Sequence, residues 1–252
     1  MEFLIAIIVS LAINIILFIP AFIFKTDKLT DLSYSLSFIA LSIIMFLTSE
    51  MTLFHIILLS IILLWAIRLG TYLLIRIQKM KKDSRFDGVR ENFFKFLKFW
   101  LLQAIAVWVI LLPSIATFSI ESPILNILAY VGLAIYLLGL IIESFADYQK
   151  YTFINNEDNK GMWIDSGLWK YSRHPNYLGE MMVWIGVYIF TLSSLTGRLP
   201  FIMLASPLFI ILLLIFGSGI PMLEKSANKR WGDNPKYQEY KKRVGVLLPK
   251  IL

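Results

Sequence analysis

The chain has 252 residues, 58% of them hydrophobic and only 16% charged, with a mean hydropathy of +0.72 and a formal net charge of +7. Ordinary soluble domains carry about 25% charged residues, so the composition excludes that class and identifies an integral membrane protein. Zero Cys excludes disulfides, thiolate zinc sites, iron–sulfur clusters and a Cys nucleophile. No metal site is expected, and any redox chemistry must use a borrowed cofactor.

Residues 3–24 form the first apolar run. It lacks a basic leading region and a small-residue cleavage site, so it reads as a retained transmembrane helix and not as a signal peptide. Further spans are expected at 33–49, 53–75, 98–118, 124–147, 177–196 and 199–220, each close to the ~20 residues that cross hydrocarbon. The second is short and carries Ser33, Ser35, Ser37 and Ser42. Hydroxyls of that kind find partners inside a bundle. The fold class is therefore all-α, with about seven transmembrane helices. Neither a repeat nor a flexible linker interrupts the chain, which predicts one transmembrane domain over 1–252.

Seven spans place 22 of the 24 Lys and Arg on one side of the membrane, with Arg198 opposite and Arg68 within a span. Positive charge collects on the cytoplasmic side, so the N-terminus is expected outside and the C-terminus in the cytoplasm. The +7 net charge is mostly this bias. No basic arm or motif for nucleic acid accompanies it, and no nucleic-acid partner is expected. Three cytoplasmic segments are long enough to build chemistry: 76–98, 148–176 and 222–252. In the first, Phe93, Phe94, Phe96, Phe99 and Trp100 alternate with charge at near-helical spacing. That pattern suits either an interfacial amphipathic helix leading into the fourth span or a lid over a cofactor.

Ionisable groups within spans are costly and mark functional sites or buried ion pairs. Arg68, Tyr72 and Arg76 share one helical face, as do Glu143 and Asp147, while Glu180 lies between Asn176 and Trp184 at one-turn spacing. Ion pairing between helices and a polar cavity open to the cytoplasm both fit. The stretch Gly167-Leu-Trp-Lys-Tyr-Ser-Arg-His-Pro-Asn-Tyr-Leu-Gly-Glu180 is the richest. Pro175 suits a helix's first turn, so a sixth helix is expected to begin around His174 to Asn176. Its free NH groups beside Lys170, Arg173 and His174 form a candidate anion site. In the tail, Asn234 and Pro235 open a helix bearing Tyr237, Tyr240 and Arg243, after Glu224, Lys225, Arg230 and Trp231. These cations and aromatics suit a stacked base with phosphates, or a basic helix on anionic lipid.

The stretches KTDKLTDLSYSLSF, WAIRLGTYL, SRFDGVRENF, ESFADYQK, DSGLWKYSRHPNYLGE, GIPMLEK and YQEYKKRVGVLLP are spread over most of the chain. In them the protein resembles the bacterial membrane family known as domain of unknown function 1295, related to the C-terminal domain of steroid 5-alpha-reductases. The resemblance implies a seven-helix fold in the bacterial inner membrane, holding NADPH in a cytoplasm-facing cavity. Asp147, Tyr171, Asn176 and Glu180 match cofactor-contacting positions of the reductases, and Arg68 and Tyr72 match polar positions of their third helix. Arg173 and His174 belong to the bacterial version of the motif. With the neighbouring Glu143, Trp169 and Tyr177, and with Lys225, Arg230, Tyr237 and Arg243 of the tail, Asp147, Tyr171, Arg173, His174, Asn176 and Glu180 make up the expected cofactor-binding set. Trp65 stands where the reductases place a catalytic Tyr, and their glutamate partner in the second helix has no clear equivalent.

The implied reaction is NADPH-dependent reduction of an enone double bond in a lipid or steroid-like substrate, with a buried protein acid polarising the carbonyl. Tyr72 is the expected acid, its pKa lowered by Arg68 one turn away, with Asp31 and Tyr34 in reserve. A second resemblance, to isoprenylcysteine carboxyl methyltransferases and phospholipid methyltransferases, rests on Arg173-His174-Pro175-Asn176-Tyr177-Leu178-Gly179 and the Tyr-rich basic tail. It implies S-adenosylmethionine in the same pocket. Those enzymes usually carry paired glutamates where this chain has Glu224 followed by Lys225. Lys170, Arg173, Lys225, Arg230 and Arg243 outnumber Asp147, Glu180 and Glu224, which favours a phosphate-bearing cofactor.

Overall fold

A computed structural model describes residues 1–80 and 86–250; of Met80 only the backbone is described. Lys81, Lys82 and Arg85, counted within the 76–98 segment, lie outside the described residues. The described chain is helical, without a β-strand, and carries a single parallel bridge between Ser172 and Gly245. In chain order the helices are α1 (Glu2–Ile23), α2 (Lys28–Leu47), α3 (Leu53–Met80), α4 (Phe93–Phe118), α5 (Ile127–Asn155), α6 (Pro175–Leu192), α7 (Leu199–Met203), α8 (Ala205–Phe216), α9 (Ile220–Trp231) and α10 (Pro235–Arg243).

Among the described residues six stretches can cross a membrane by length and composition: α1, α2, α3, α4, α5 and the run Leu199–Trp231. The protein is thus an all-α, multi-pass membrane protein whose apolar faces contact lipid. α6 occupies the expected sixth position, but its 18 residues begin with Pro175, Asn176 and, one turn on, Glu180, and this polar start lowers its hydropathy. The seventh expected span is divided. α7 gives way to α8 after Leu204, and Gly217 to Gly219 separate α8 from α9.

The chain forms two compact units, one of residues 1–130 and 190–206, the other of 131–189 and 207–252. In the first unit α1 packs a one-sided stripe, Ala6, Ser10, Asn14, Phe18 and Ala21, spaced at three and four residues. A buried polar network joins α1, α2 and α4. Gln103 Nε2 donates to Asn14 Oδ1 at 3.0 Å and to Ser33 Oγ at 2.6 Å, and Asn14 Nδ2 donates to Ser37 Oγ at 3.0 Å. Ser35 Oγ donates to the Ala66 carbonyl of α3 at 2.8 Å. The serines of the second span do find partners within the bundle, Ser42 excepted among the described residues. Unsatisfied groups of this kind would cost several kcal/mol each in hydrocarbon.

Phe93, Phe96 and Trp100 belong to the first turns of α4, and all three pack on Phe18 of α1 with ring centroids 5.5–6.2 Å apart. Asn92 caps that helix by accepting from Lys95 N at 3.0 Å. Just upstream, Arg90 is 2% exposed and pairs with Asp27 at 3.1 Å, with Asp87, and with Glu91 at 3.2 Å. A buried guanidinium needs several acceptors, and these hold the start of α4 to the turn between α1 and α2.

In the second unit α5 and α6 cross on glycines. A Cβ at Gly139 would lie 2.7 Å from the Gly179 carbonyl oxygen, and one at Gly179 would lie 2.6 Å from Glu143 N. Backbones approach this closely only where side chains are absent. Gly186 meets the backbone of Tyr136 and Gly132 in the same way. The crossing brings the end of α5 that bears Glu143 and Asp147 against the start of α6.

Candidate functional site

The second unit holds a cavity of about 610 Å³, within the usual ~300–1,000 Å³ of small-molecule sites. Its wall is drawn from the end of α5, the irregular segment before α6, α9 and α10. The segment is shaped locally by Gly167, whose φ of +58° lies in the left-handed region and whose missing Cβ leaves room for Gln149. Gln149 Oε1 accepts from Leu168 N at 3.0 Å, and Trp169 Nε1 donates to the Ala146 carbonyl at 3.1 Å, so the turn is pinned to α5.

The C-terminal strap pins the other side. Arg173 N donates to the Gly245 carbonyl at 3.0 Å and His174 N to the Val246 carbonyl at 3.1 Å. Tyr240 OH of α10 donates to the Trp169 carbonyl at 2.9 Å. α10 starts as its sequence requires: Asn234 accepts from Lys236 N at 3.0 Å and Pro235 takes the first turn. α6 likewise begins at Pro175, with Leu178 N donating to the His174 carbonyl at 3.2 Å.

Two features of the wall carry chemistry. One is an aromatic group from three segments, in which the Trp163 ring lies 6.2 Å from Trp231 and 5.1 Å from Tyr237, and Trp231 lies 5.8 Å from Tyr237. Trp231 Nε1 donates to the Gly161 carbonyl at 2.7 Å. The other is an ionic group. Glu224 Oε1 of α9 receives His174 Nε2 at 2.9 Å and pairs with Arg173 Nε at 3.3 Å. Arg173 Nη1 also donates to the Lys241 carbonyl at 3.3 Å. Lys150, Lys160 and Arg230 complete the charged lining, and the Lys150 ammonium sits 5.0 Å above the Trp169 ring.

Burial pushes the His174 imidazole below its ordinary pKa, the Glu224 hydrogen bond opposing and Lys150 and Arg173 adding to the fall. The ring is therefore neutral near pH 7, and the carboxylate requires its proton on Nε2. Nδ1 is then a buried acceptor without a hydrogen-bond partner among the described residues, and Trp163 Nε1 is a donor in the same condition. Burial also raises the phenol pKa of Tyr237 and Tyr240, keeping both neutral.

Of the residues expected from sequence, Trp169, Arg173, His174, Arg230 and Tyr237 line this cavity. Glu143 and Asp147 are buried at the α5–α6 crossing, where Asn176 Nδ2 donates to Asp147 Oδ1 at 3.2 Å. Tyr177 stacks on His174 with ring centroids 5.8 Å apart and an interplanar angle of 15°. Glu180 is half-buried one turn into α6, and Tyr171, Lys225 and Arg243 are exposed. Asp31, Arg68 and Tyr72 belong to the first unit. There Arg76 Nη2 donates to Asp31 Oδ2 at 3.1 Å between α3 and α2. Trp65 is fully buried, its ring 5.0 Å from Phe38 in an edge contact. Sequence reasoning missed Trp163, Lys150 and Lys160; they stand in irregular chain or at a helix end, where no periodicity marks a face.

The family model described as protein of unknown function (DUF1295) matches residues 17–244. A curated fission-yeast protein from Schizosaccharomyces pombe, described as uncharacterized, is 21% identical over 140 residues. That alignment covers 48% of this chain and 39% of the relative, so the chain spans well under two thirds of the relative's length. No solved structure matches the chain.

Proposed function

The chain belongs to the DUF1295 family, and from that premise and the cavity above we propose that it is a membrane-embedded, NADPH-dependent reductase of a lipid or steroid-like enone. The observation that carries the reading is the cavity wall, in which Lys150, Lys160, Arg173 and Arg230 stand against the single carboxylate of Glu224, beside Trp163, Trp231 and Tyr237. Flat rings and distributed cations are what a base with phosphates requires. The unpartnered Trp163 Nε1 donor and His174 Nδ1 acceptor add two hydrogen-bonding positions for such a ligand.

Bound there, reduced nicotinamide would supply hydride for the β carbon of an enone. Within this chain Trp163, Trp231 and Tyr237 offer ring faces, and Lys160 and Arg230 offer charge to phosphates. On the sequence resemblance alone, Tyr72 of the first unit is the proposed proton donor to the substrate carbonyl, with Arg68 one turn away and Asp31 and Tyr34 in reserve. The proposed setting is the bacterial inner membrane, with the C-terminus in the cytoplasm. Turnover of NADPH with a hydrophobic enone by the detergent-purified protein tests the reading. Tyr72→Phe should lose turnover while NADPH still raises thermal stability. An absence of turnover across a panel of sterol, isoprenoid and fatty enones would reject the reductase reading.

A further inference from the structure

We propose that Glu224 determines which charge the cavity accepts beside the Arg173-His174 turn. Two groups that would otherwise bind an anion converge on one of its oxygens, His174 Nε2 at 2.9 Å and Arg173 Nε at 3.3 Å. The pair is substantially enclosed, with the Arg173 side chain 12% and the Glu224 side chain 20% exposed. Arg173 Nη1 donates to the Lys241 carbonyl, and Nε stands in ion-pair reach of Glu224 without a hydrogen bond among the described residues, so the guanidinium already faces a carboxylate and a carbonyl inside the protein. A phosphate arriving at this turn would have to displace a carboxylate already in place and would be repelled by it.

Lys160 and Arg230 differ. Both are exposed and have no ion pair among the described residues. Their chain neighbours Gly161 and Trp231 are bonded to each other at 2.7 Å, which ties the two cations to one part of the wall. Phosphate is therefore received by Lys160 and Arg230, and the Arg173-His174-Glu224 group receives an uncharged donor, an amide or hydroxyl, at His174 Nδ1. This narrows the anion site that the start of α6 suggests, and it rests on the reading of the cavity as a site for a phosphate-bearing ligand.

The test uses the full-length protein in detergent, with inorganic pyrophosphate as the probe and thermal stability as the readout. Glu224→Gln keeps the size of the side chain and removes its charge, which exposes Arg173 to the probe. The pyrophosphate concentration giving half the maximal stabilisation should fall about tenfold or more, the scale of one charged hydrogen bond. Glu224→Asp keeps the charge and should respond like the unmodified protein. The double variant Glu224→Gln/Arg173→Gln should lose the gain. Should Glu224→Gln fail to fold, Arg173→Gln alone decides: an unchanged pyrophosphate response supports the proposal, and a weakened one overturns it. An unchanged response in folded Glu224→Gln also overturns it. If pyrophosphate behaves as stated but NADPH does not bind, the Glu224 assignment stands and the reductase reading falls. If NADPH binds while Glu224→Gln changes nothing, the reverse holds.

Discussion

Replacing Gly179 by Ala should loosen the α5–α6 crossing and, through it, the polar contacts at the start of α6. The added Cβ would stand 2.6 Å from Glu143 N, 2.7 Å from Glu143 Cβ and 2.7 Å from the Gly139 carbonyl oxygen, nearly 1 Å short of an ordinary contact of about 3.5 Å. Two of those atoms are backbone within helices, so no flexible side chain can yield. The helices must part. Overpacking of this kind costs about 1–3 kcal/mol, and each kcal/mol lowers the melting temperature of a chain this size by about 2–4 °C. The Asn176–Asp147 hydrogen bond, at 3.2 Å, has little slack and should break as the helices separate. Thermal unfolding in detergent should show a loss of roughly 2–12 °C for Gly179→Ala. Leu138→Ala, on the lipid-facing side of α5 with 54% exposure, should cost far less. Equal stability of Gly179→Ala and the unmodified protein would refute the close crossing and the placement of Asp147 against Asn176.

Three further outcomes follow from the same geometry. Because burial depresses the His174 pKa, the unfolded chain binds its proton more readily. Stability should therefore be full above about pH 6.5, the ordinary imidazole value, and fall as pH drops through that value toward the folded one. His174→Gln should flatten that part of the profile, and an identical profile would exclude His174 as its source. Asn234→Ala removes the side-chain cap of α10 and should lower stability by about 1 kcal/mol, read as a thermal shift of about 2–4 °C; no shift would show that the helix start is held by other contacts. Reporters fused at the two termini should report the N-terminus outside and the C-terminus in the cytoplasm, the arrangement that puts 22 of the 24 Lys and Arg on one side. Both reporters on the same side would contradict the topology.

The helical positions were legible because each depends on local signals. Long apolar runs marked α1, α3, α4 and α5, and the Pro175 and Asn234-Pro235 pairs marked the starts of α6 and α10. The serines of α2 foretold a place among other helices, and their bonds to Asn14, Gln103 and Ala66 supply the reason. What could not be read was the meeting of distant segments. Glu224 lies 50 residues beyond His174, and nothing in either neighbourhood announces their contact. Arg76 reads as a third member of the Arg68 face, yet it pairs with Asp31 of α2 at 3.1 Å. Trp163 stands alone in an irregular stretch, so its part in the cavity wall emerges only when α9 and α10 fold beside it. Nor does the glycine spacing along α5 and α6 reveal that Gly139 and Gly179 face each other.

Binding of a dinucleotide phosphate in the cavity is tested by the melting temperature of the purified protein against ligand concentration. A ligand that binds the native state alone raises stability by RT ln(1 + [L]/Kd), about 2.7 kcal/mol at a hundredfold excess over Kd. NADPH should produce a saturating rise, and the rise should weaken when Lys160 and Arg230 are both replaced by Ala. S-adenosylmethionine, cationic at sulfur, should produce little or none against a wall of four basic residues and one carboxylate. Stabilisation by S-adenosylmethionine without any by NADPH would contradict the reductase account and assign the cavity to methyl transfer.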